Sequence, residues 1–207
     1  MISDEDFIEL CASGTPEEVT QALTNGADPN ARDVHGFTAL MQAAEKNSQP
    51  VVRALLAAGA RVNDQDSIGW TPLMWAASWN ALAVVQTLLA SGADVNAQSG
   101  ICRPALTHAV DFGMLSLAVQ HYLAVNLSDM DAGDRFNGTT PLMWAAFANE
   151  FAVVEALLAA GADKSLKDKH GHDALWYALL RAQDGSTDHQ NRQNIVRLLE
   201  ADAVERS

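Results

Sequence analysis

Apolar residues recur in paired, helix-spaced blocks along this chain. Val51-Val52 precede Leu55-Leu56, Val84-Val85 precede Leu88-Leu89, and Val153-Val154 precede Leu157-Leu158. Ile195-Val196 then Leu198-Leu199 forms a fourth block. Steps of three and four residues put each set on one helical face, so each block predicts a helix with an inward stripe. A second kind of helix is predicted after each turn. With Leu73 at 0° and about 100° per residue, Ala76 and Ala77 fall on its side and Trp75, Ser78 and Trp79 fall opposite.

The turns repeat as well. Gly36-Phe37-Thr38-Ala39-Leu40-Met41, Gly69-Trp70-Thr71-Pro72-Leu73-Met74 and Gly138-Thr139-Thr140-Pro141-Leu142-Met143 are one motif, and Gly171-His172-Asp173-Ala174-Leu175-Trp176 is a weaker copy. The spacing is 33 residues from Gly36 to Gly69 and from Gly138 to Gly171, with a middle gap of two periods plus three. Pro104-Ala105-Leu106-Thr107-His108-Ala109, with Cys102 in the glycine slot, reads as a degraded copy filling that gap. A second motif runs out of phase: Leu88-Leu89-Ala90-Ser91-Gly92-Ala93-Asp94-Val95-Asn96, echoed at Leu55-Ala60, Leu157-Asp163 and Leu23-Asn30. Its glycines 26, 59 and 92 again lie 33 apart, and Asn126 takes the slot in the degraded copy. Each period thus predicts turn, helix, tight connection, helix, loop. Thr71-Pro72 and Thr140-Pro141 supply an N-cap and a proline at the first helical position. Thr15-Pro16-Glu17-Glu18 adds a capping box. Asn47, Asn80, Gly113 and Asn149 share the phase at which the first helix must reverse.

These motifs and their period resemble the ankyrin repeat family over nearly the whole chain, from Ser3 to Ala203. The resemblance implies an all-α solenoid of helix-turn-helix units joined by short β-turn or hairpin loops. Read as one domain over 1–207, the chain divides into six repeats at about 3–32, 33–65, 66–98, 99–134, 135–167 and 168–203. The end repeats depart from the motif, as units with one solvent-facing side do. The family places His after Thr-Pro-Leu, where Met41, Met74 and Met143 stand here. Stacking is then expected to rest more on packing than on that histidine's polar contacts. The sixth repeat carries a nine-residue insertion between its helices, around Asp184-Gly185-Ser186-Thr187-Asp188.

The slots opposite the buried side form the concave surface in this family. They hold Trp75 and Trp79, His108 and Phe112, Trp144 and Phe147, and Tyr177, and fingertip positions add Phe37, Trp70 and Phe136. An exposed aromatic stripe of these ten residues is the expected contact for a partner protein or peptide. The alternative for Trp75 and Trp144 is coverage by the adjacent repeat.

Composition narrows the partner. The 207 residues carry 26 acidic and 13 basic side chains, a formal charge of −13. That balance argues against nucleic acid and an anionic membrane surface. Residues 1–31 hold seven acids and no Lys or Arg, and a partner with a basic patch would be steered there. Lys164, Lys167, Lys169 and Arg181 make a small basic end. No apolar run reaches about 18 residues and the acidic start does not read as a leader. The chain is therefore expected to be a cytoplasmic monomer or, alternatively, an effector exported without a cleavable signal. Cys11 and Cys102 fall about three repeats apart, too far to pair, and read as reduced thiols. Asp168, His170, His172 and Asp173 cluster on one turn, where display of polar residues explains them as well as a metal does. No phosphate loop, zinc motif or catalytic triad is legible, so no catalytic residue, metal or cofactor is expected. An adaptor, scaffold or inhibitor is the preferred function. A self-associating structural protein is the alternative, and a metal protein or enzyme a weaker one.

Overall fold

The computed structural model describes residues 2–100, 137–180 and 189–201. Ten helices run through them: α1 (Asp4–Ser13), α2 (Pro16–Thr24), α3 (Ala39–Glu45), α4 (Gln49–Ala57), α5 (Pro72–Ser78), α6 (Leu82–Ala90), α7 (Pro141–Ala148), α8 (Phe151–Ala159), α9 (Ala174–Leu180) and α10 (His189–Glu200). No strand occurs among the described residues; an isolated antiparallel bridge joins Arg32 to Thr38. The all-α repeat architecture expected from the motifs is the one observed. The chain forms two compact units, Met1–Asp94 and Val95–Ser207. The fourth repeat expected at 99–134 falls almost wholly outside the described residues.

Most of these helices have seven to ten residues, too few to persist alone in water. Packing supplies the difference. The predicted stripes are buried: Val51, Val52 and Leu55 on α4, Val84, Val85 and Leu88 on α6, Val153, Val154 and Leu157 on α8, Ile195 and Leu199 on α10. Burial of each such side chain contributes about 1.5–3 kcal/mol relative to exposure. One helix pair cannot cover all of that surface, so neighbouring pairs must stack.

Polar groups set the helix starts. Thr38, Thr71 and Thr140 accept from the backbone N–H of Met41, Met74 and Met143 at 3.1, 3.3 and 3.3 Å. The methionines do more than pack. The sulfur of Met41 accepts from Thr38 N–H, and that of Met143 from Thr140 N–H, each at 3.4 Å. A thioether is a weak acceptor, yet it completes a capping box in each case. The first helices reverse where expected: Asn47, Asn80 and Asn149 hold φ of 53°, 54° and 64°.

Consecutive turns are joined at their tips. Ser67 N–H donates to His35 O in the first unit and Lys169 N–H to Asn137 O in the second, both at 2.9 Å. Gly138 shows how close this approach is. Its φ is 83°, and a Cβ there would lie 3.3 Å from Lys169 N and 3.4 Å from Asp168 Cα.

Candidate functional site

Each turn is organised by the residue at its head. One oxygen of Asp33 accepts from His35 and Phe37 N–H, both at 2.8 Å. Asp66 does the same with Ile68 and Trp70 at 3.0 and 2.9 Å, and Asp168 with His170 and His172 at 2.8 Å each. The second oxygen is then available to the first helix. Asp66 Oδ2 accepts from the Trp75 indole at 3.0 Å. Asp168 Oδ2 accepts from the Tyr177 hydroxyl at 2.9 Å and faces His172 Nδ1 at 3.3 Å. The Trp144 indole donates to Thr139 Oγ1 at 3.0 Å. An aromatic ring on each of these helices is thus tethered by its polar tip to its own turn.

This arrangement corrects the exposed stripe. Phe37, Trp70, Trp75, Trp144, Phe147 and Tyr177 are all buried, each with 5 % or less of its surface accessible. In the first unit Trp75 meets Phe37 edge-on at 5.0 Å and Trp70 at 4.7 Å. In the second, Phe147 stands edge-on to Trp144 at 6.2 Å and to Tyr177 at 6.4 Å. A helical wheel treats the helix as isolated and so assigns the opposite side to water. Here an indole or phenol reaches beyond its own helix, and its single donor finds an acceptor in the turn. His108, Phe112 and Phe136 lie outside the described residues.

Trp79 differs. It caps the C-terminal end of α5, is half-buried, and its indole nitrogen is covered without a hydrogen-bond partner among the described residues. Sequence reasoning missed three exposed apolar positions: Ile2, before α1, Val34, 83 % accessible at the tip of its turn, and Leu179, 48 % accessible on α9. The signal at Val34 was an aliphatic residue in a slot that holds Ser67 and Lys169 in other turns.

Electrostatics follow burial. Asp66 is pushed up to about 6, chiefly by removal from water, with neighbouring Asp33 adding to the rise. The N–H groups of Trp70, Trp75 and Ile68 act against that rise. Burial also raises Glu45, opposed by Lys46. Asp4, Glu5, Asp6, Glu9, Glu17 and Glu18 are exposed on the first two helices, while Lys167, at the end of the fifth repeat, and Lys169 and His170, in the sixth, are exposed as well. On that last turn His172 stacks on Trp176 at 3.6 Å. The Asp168 carboxylate is occupied by the turn and by Tyr177, and no group of three or more His, Cys, Asp or Glu is disposed to hold a metal ion among the described residues. No helix among them is long and apolar enough to cross a membrane.

Known proteins share this pattern. A family model described as ankyrin repeats (three copies) matches residues 7–99 and 106–205. The chain is 35 % identical over 198 residues to a mitochondrial disaggregase of Bos taurus, covering 92 % of this chain and 24 % of that protein. It is 29 % identical over 203 residues to the mitochondrial disaggregase of Homo sapiens, covering 92 % and 27 %. A probable palmitoyltransferase of Saccharomyces uvarum, AKR2, is 40 % identical over 68 residues, 32 % of this chain and 9 % of that one. The chain thus spans less than a third of the length of these curated relatives. Turn, capping threonine, paired helices and 33-residue period agree with the family match, and the chain belongs to the ankyrin repeat family.

Proposed function

We propose that the protein is a monomeric, non-enzymatic binding module that engages a partner protein or peptide in the cytoplasm. Membership in a family of interaction modules supports the class. Trp79 carries the proposed location. It is the ring of the expected set that keeps accessible surface in the described structure while its N–H lacks a partner there. Indoles of this kind anchor interfaces once a partner covers them. The buried rings then have a different part: they hold α5 and α7 against their turns and fix the scaffold that presents the contact. Exposed acids on α1 and α2 favour a partner with basic groups and give association a salt dependence.

Affinity purification from the native host with wild type, Trp79→Ala and Trp79→Phe tests this reading. Recovery of a partner by wild type and Trp79→Phe, and its loss with a Trp79→Ala protein that stays cooperatively folded, is the expected result. Equal recovery by all three variants removes Trp79 from the contact.

A further inference from the structure

In the Asp66 turn, the head residue and the residue it closes on are four positions apart. Asp66 N–H donates to Trp70 O at 3.1 Å, Gly69 N–H to Asp66 O at 3.0 Å, and Trp70 N–H to Asp66 Oδ1 at 2.9 Å. Asp33 with Phe37 and Asp168 with His172 repeat this set. Before the Asn137-Gly138-Thr139 turn the head is instead Ser99. Ser99 N–H donates to Thr139 O at 2.9 Å, Gly138 N–H to Ser99 O at 3.0 Å, and Thr139 N–H to Ser99 Oγ at 3.1 Å. The three bonds match in kind and in length, with 36 further residues between the partners.

The neighbouring bonds shift by the same amount. Arg32 Nη1 donates to Gly36 O, four residues on, and to Gln65 O, 33 on. Gln98 occupies the same slot 66 residues later, and its Nε2 donates to Gly138 O, 40 on, and to Lys167 O, 69 on. Asn30 Oδ1 accepts from Arg61 N–H and Asn63 Oδ1 from Asp94 N–H, each 31 residues on at 2.8 Å. Asn96 Oδ1 accepts from Asp163 N–H, 67 on, at 2.7 Å. Every offset grows by 36. Ser99-Gly100 followed directly by Asn137-Gly138-Thr139-Thr140-Pro141 also reads against Asp66-Ser67-Ile68-Gly69-Trp70-Thr71-Pro72 without a gap.

We infer that Ser99 is the turn head of the fifth repeat, so that in the sequence 36 residues stand inserted between Gly100 and Asn137 of that one turn. The Val95–Gly100 loop and the fifth repeat form a single continuous surface without them. A serine suffices as head because Thr139 supplies the second acceptor: Ser99 Oγ and Thr139 Oγ1 lie 2.9 Å apart, and Trp144 donates to the latter. The alternative is a contiguous fourth repeat. Ser99 would then close on residue 103, and Asn96 on residue 127, 31 residues on.

Disulfide trapping in the full chain separates the two. Asn96→Cys with Asp163→Cys is compared with Asn96→Cys with Leu127→Cys, and Asn63→Cys with Asp94→Cys serves as the positive control, all with Cys102→Ser. Cys11 stays in place because it is buried. Disulfides need Cα atoms within about 7 Å, whereas positions two repeats apart lie on the order of 20 Å away. The expected result is a 96–163 crosslink in yield comparable to 63–94, with a reductant-reversible rise in melting temperature, and no 96–127 crosslink. A second variant deletes residues 101–136 and joins Gly100 to Asn137; it is expected to keep one cooperative transition. A 96–127 crosslink in place of 96–163, or a deletion variant that no longer folds, overturns the inference.

Discussion

The indole N–H of Trp75 ends on the same carboxylate that shapes the turn before its helix, Asp66 Oδ2, at 3.0 Å. The other oxygen of Asp66 already holds Ile68 and Trp70. One side chain therefore fixes the turn, the entry into α5 and the rotamer of the buried ring. Trp75→Phe keeps most of the ring but leaves a covered carboxylate oxygen without its donor. A loss of about 1–3 kcal/mol in unfolding free energy at pH 7 is expected. Urea denaturation measures it, and an unchanged midpoint would show that the bond contributes nothing net.

The pH dependence follows from the same residue. Burial raises Asp66 to about 6, above its ordinary value of 3.8, so the folded state binds this proton more tightly than the unfolded chain does. The linked stabilisation is complete below about pH 4 and is lost as pH rises through 6. Between pH 7 and pH 5 the wild type should gain on the order of 1 kcal/mol relative to Asp66→Asn. Trp75→Phe removes a donor that favours the ionised form, so its cost should be larger at pH 7 than at pH 5. Parallel stability curves for wild type and Asp66→Asn across that range would refute the assignment.

Local chemistry made the fold legible. Capping threonines, helix-ending asparagines and valine–leucine stripes each specify something within a few residues of themselves, and a 33-residue period reports that the pattern recurs. The exposure of Trp75, Trp144 and Phe147 was not legible in that way. It depends on how far a large ring reaches, and on whether an acceptor such as Asp66 or Thr139 waits at its tip. The part played by Ser99 was hidden for a related reason. Its partners lie 40 residues downstream, and the intervening stretch looks like one more repeat. Trp79, which a wheel assigns to water, is half-buried and keeps part of its surface at the end of its helix.

The helix-ending asparagines offer a clean test of backbone strain. Asn149 holds φ 64° and ψ 34° at the C-cap of α7, and its N–H donates to Ala146 O at 3.2 Å. Alanine in this left-handed conformation costs about 1–2 kcal/mol, and glycine adopts it freely. Asn149→Ala should therefore lower the melting temperature and Asn149→Gly should not. The same order is expected at Asn47 and Asn80, which share the conformation. Calorimetry on the six variants would show it, and equal stability of the Ala and Gly proteins would rule out strain as the reason for asparagine.

Cys11 is on the buried face of α1 with Phe7 and Ile8, and burial pushes its thiol up to about 12. The thiolate is the reactive species, so alkylation at pH 8 should require the first repeat to open. Iodoacetamide labelling mapped by mass spectrometry should be slow at Cys11 in the native protein and rapid in denaturant. Fast native labelling would mean that α1 detaches from α2 and α3 on that timescale.

At Trp79 the two ways of shrinking the side chain should part company. The indole nitrogen is covered and has no partner among the described residues, so its removal relieves an unpaired donor. Trp79→Phe should be neutral or stabilise the fold by up to about 1 kcal/mol. Trp79→Ala also removes ring packing, but from a half-buried position at a helix end. Its cost should stay below the roughly 3–5 kcal/mol expected for Trp144→Ala, a ring only 1 % accessible and tied to Thr139. Thermal unfolding of the three variants ranks them directly. If Trp79→Ala were as costly as Trp144→Ala, the indole would be a structural pillar like its neighbours and would have no surface to offer a partner.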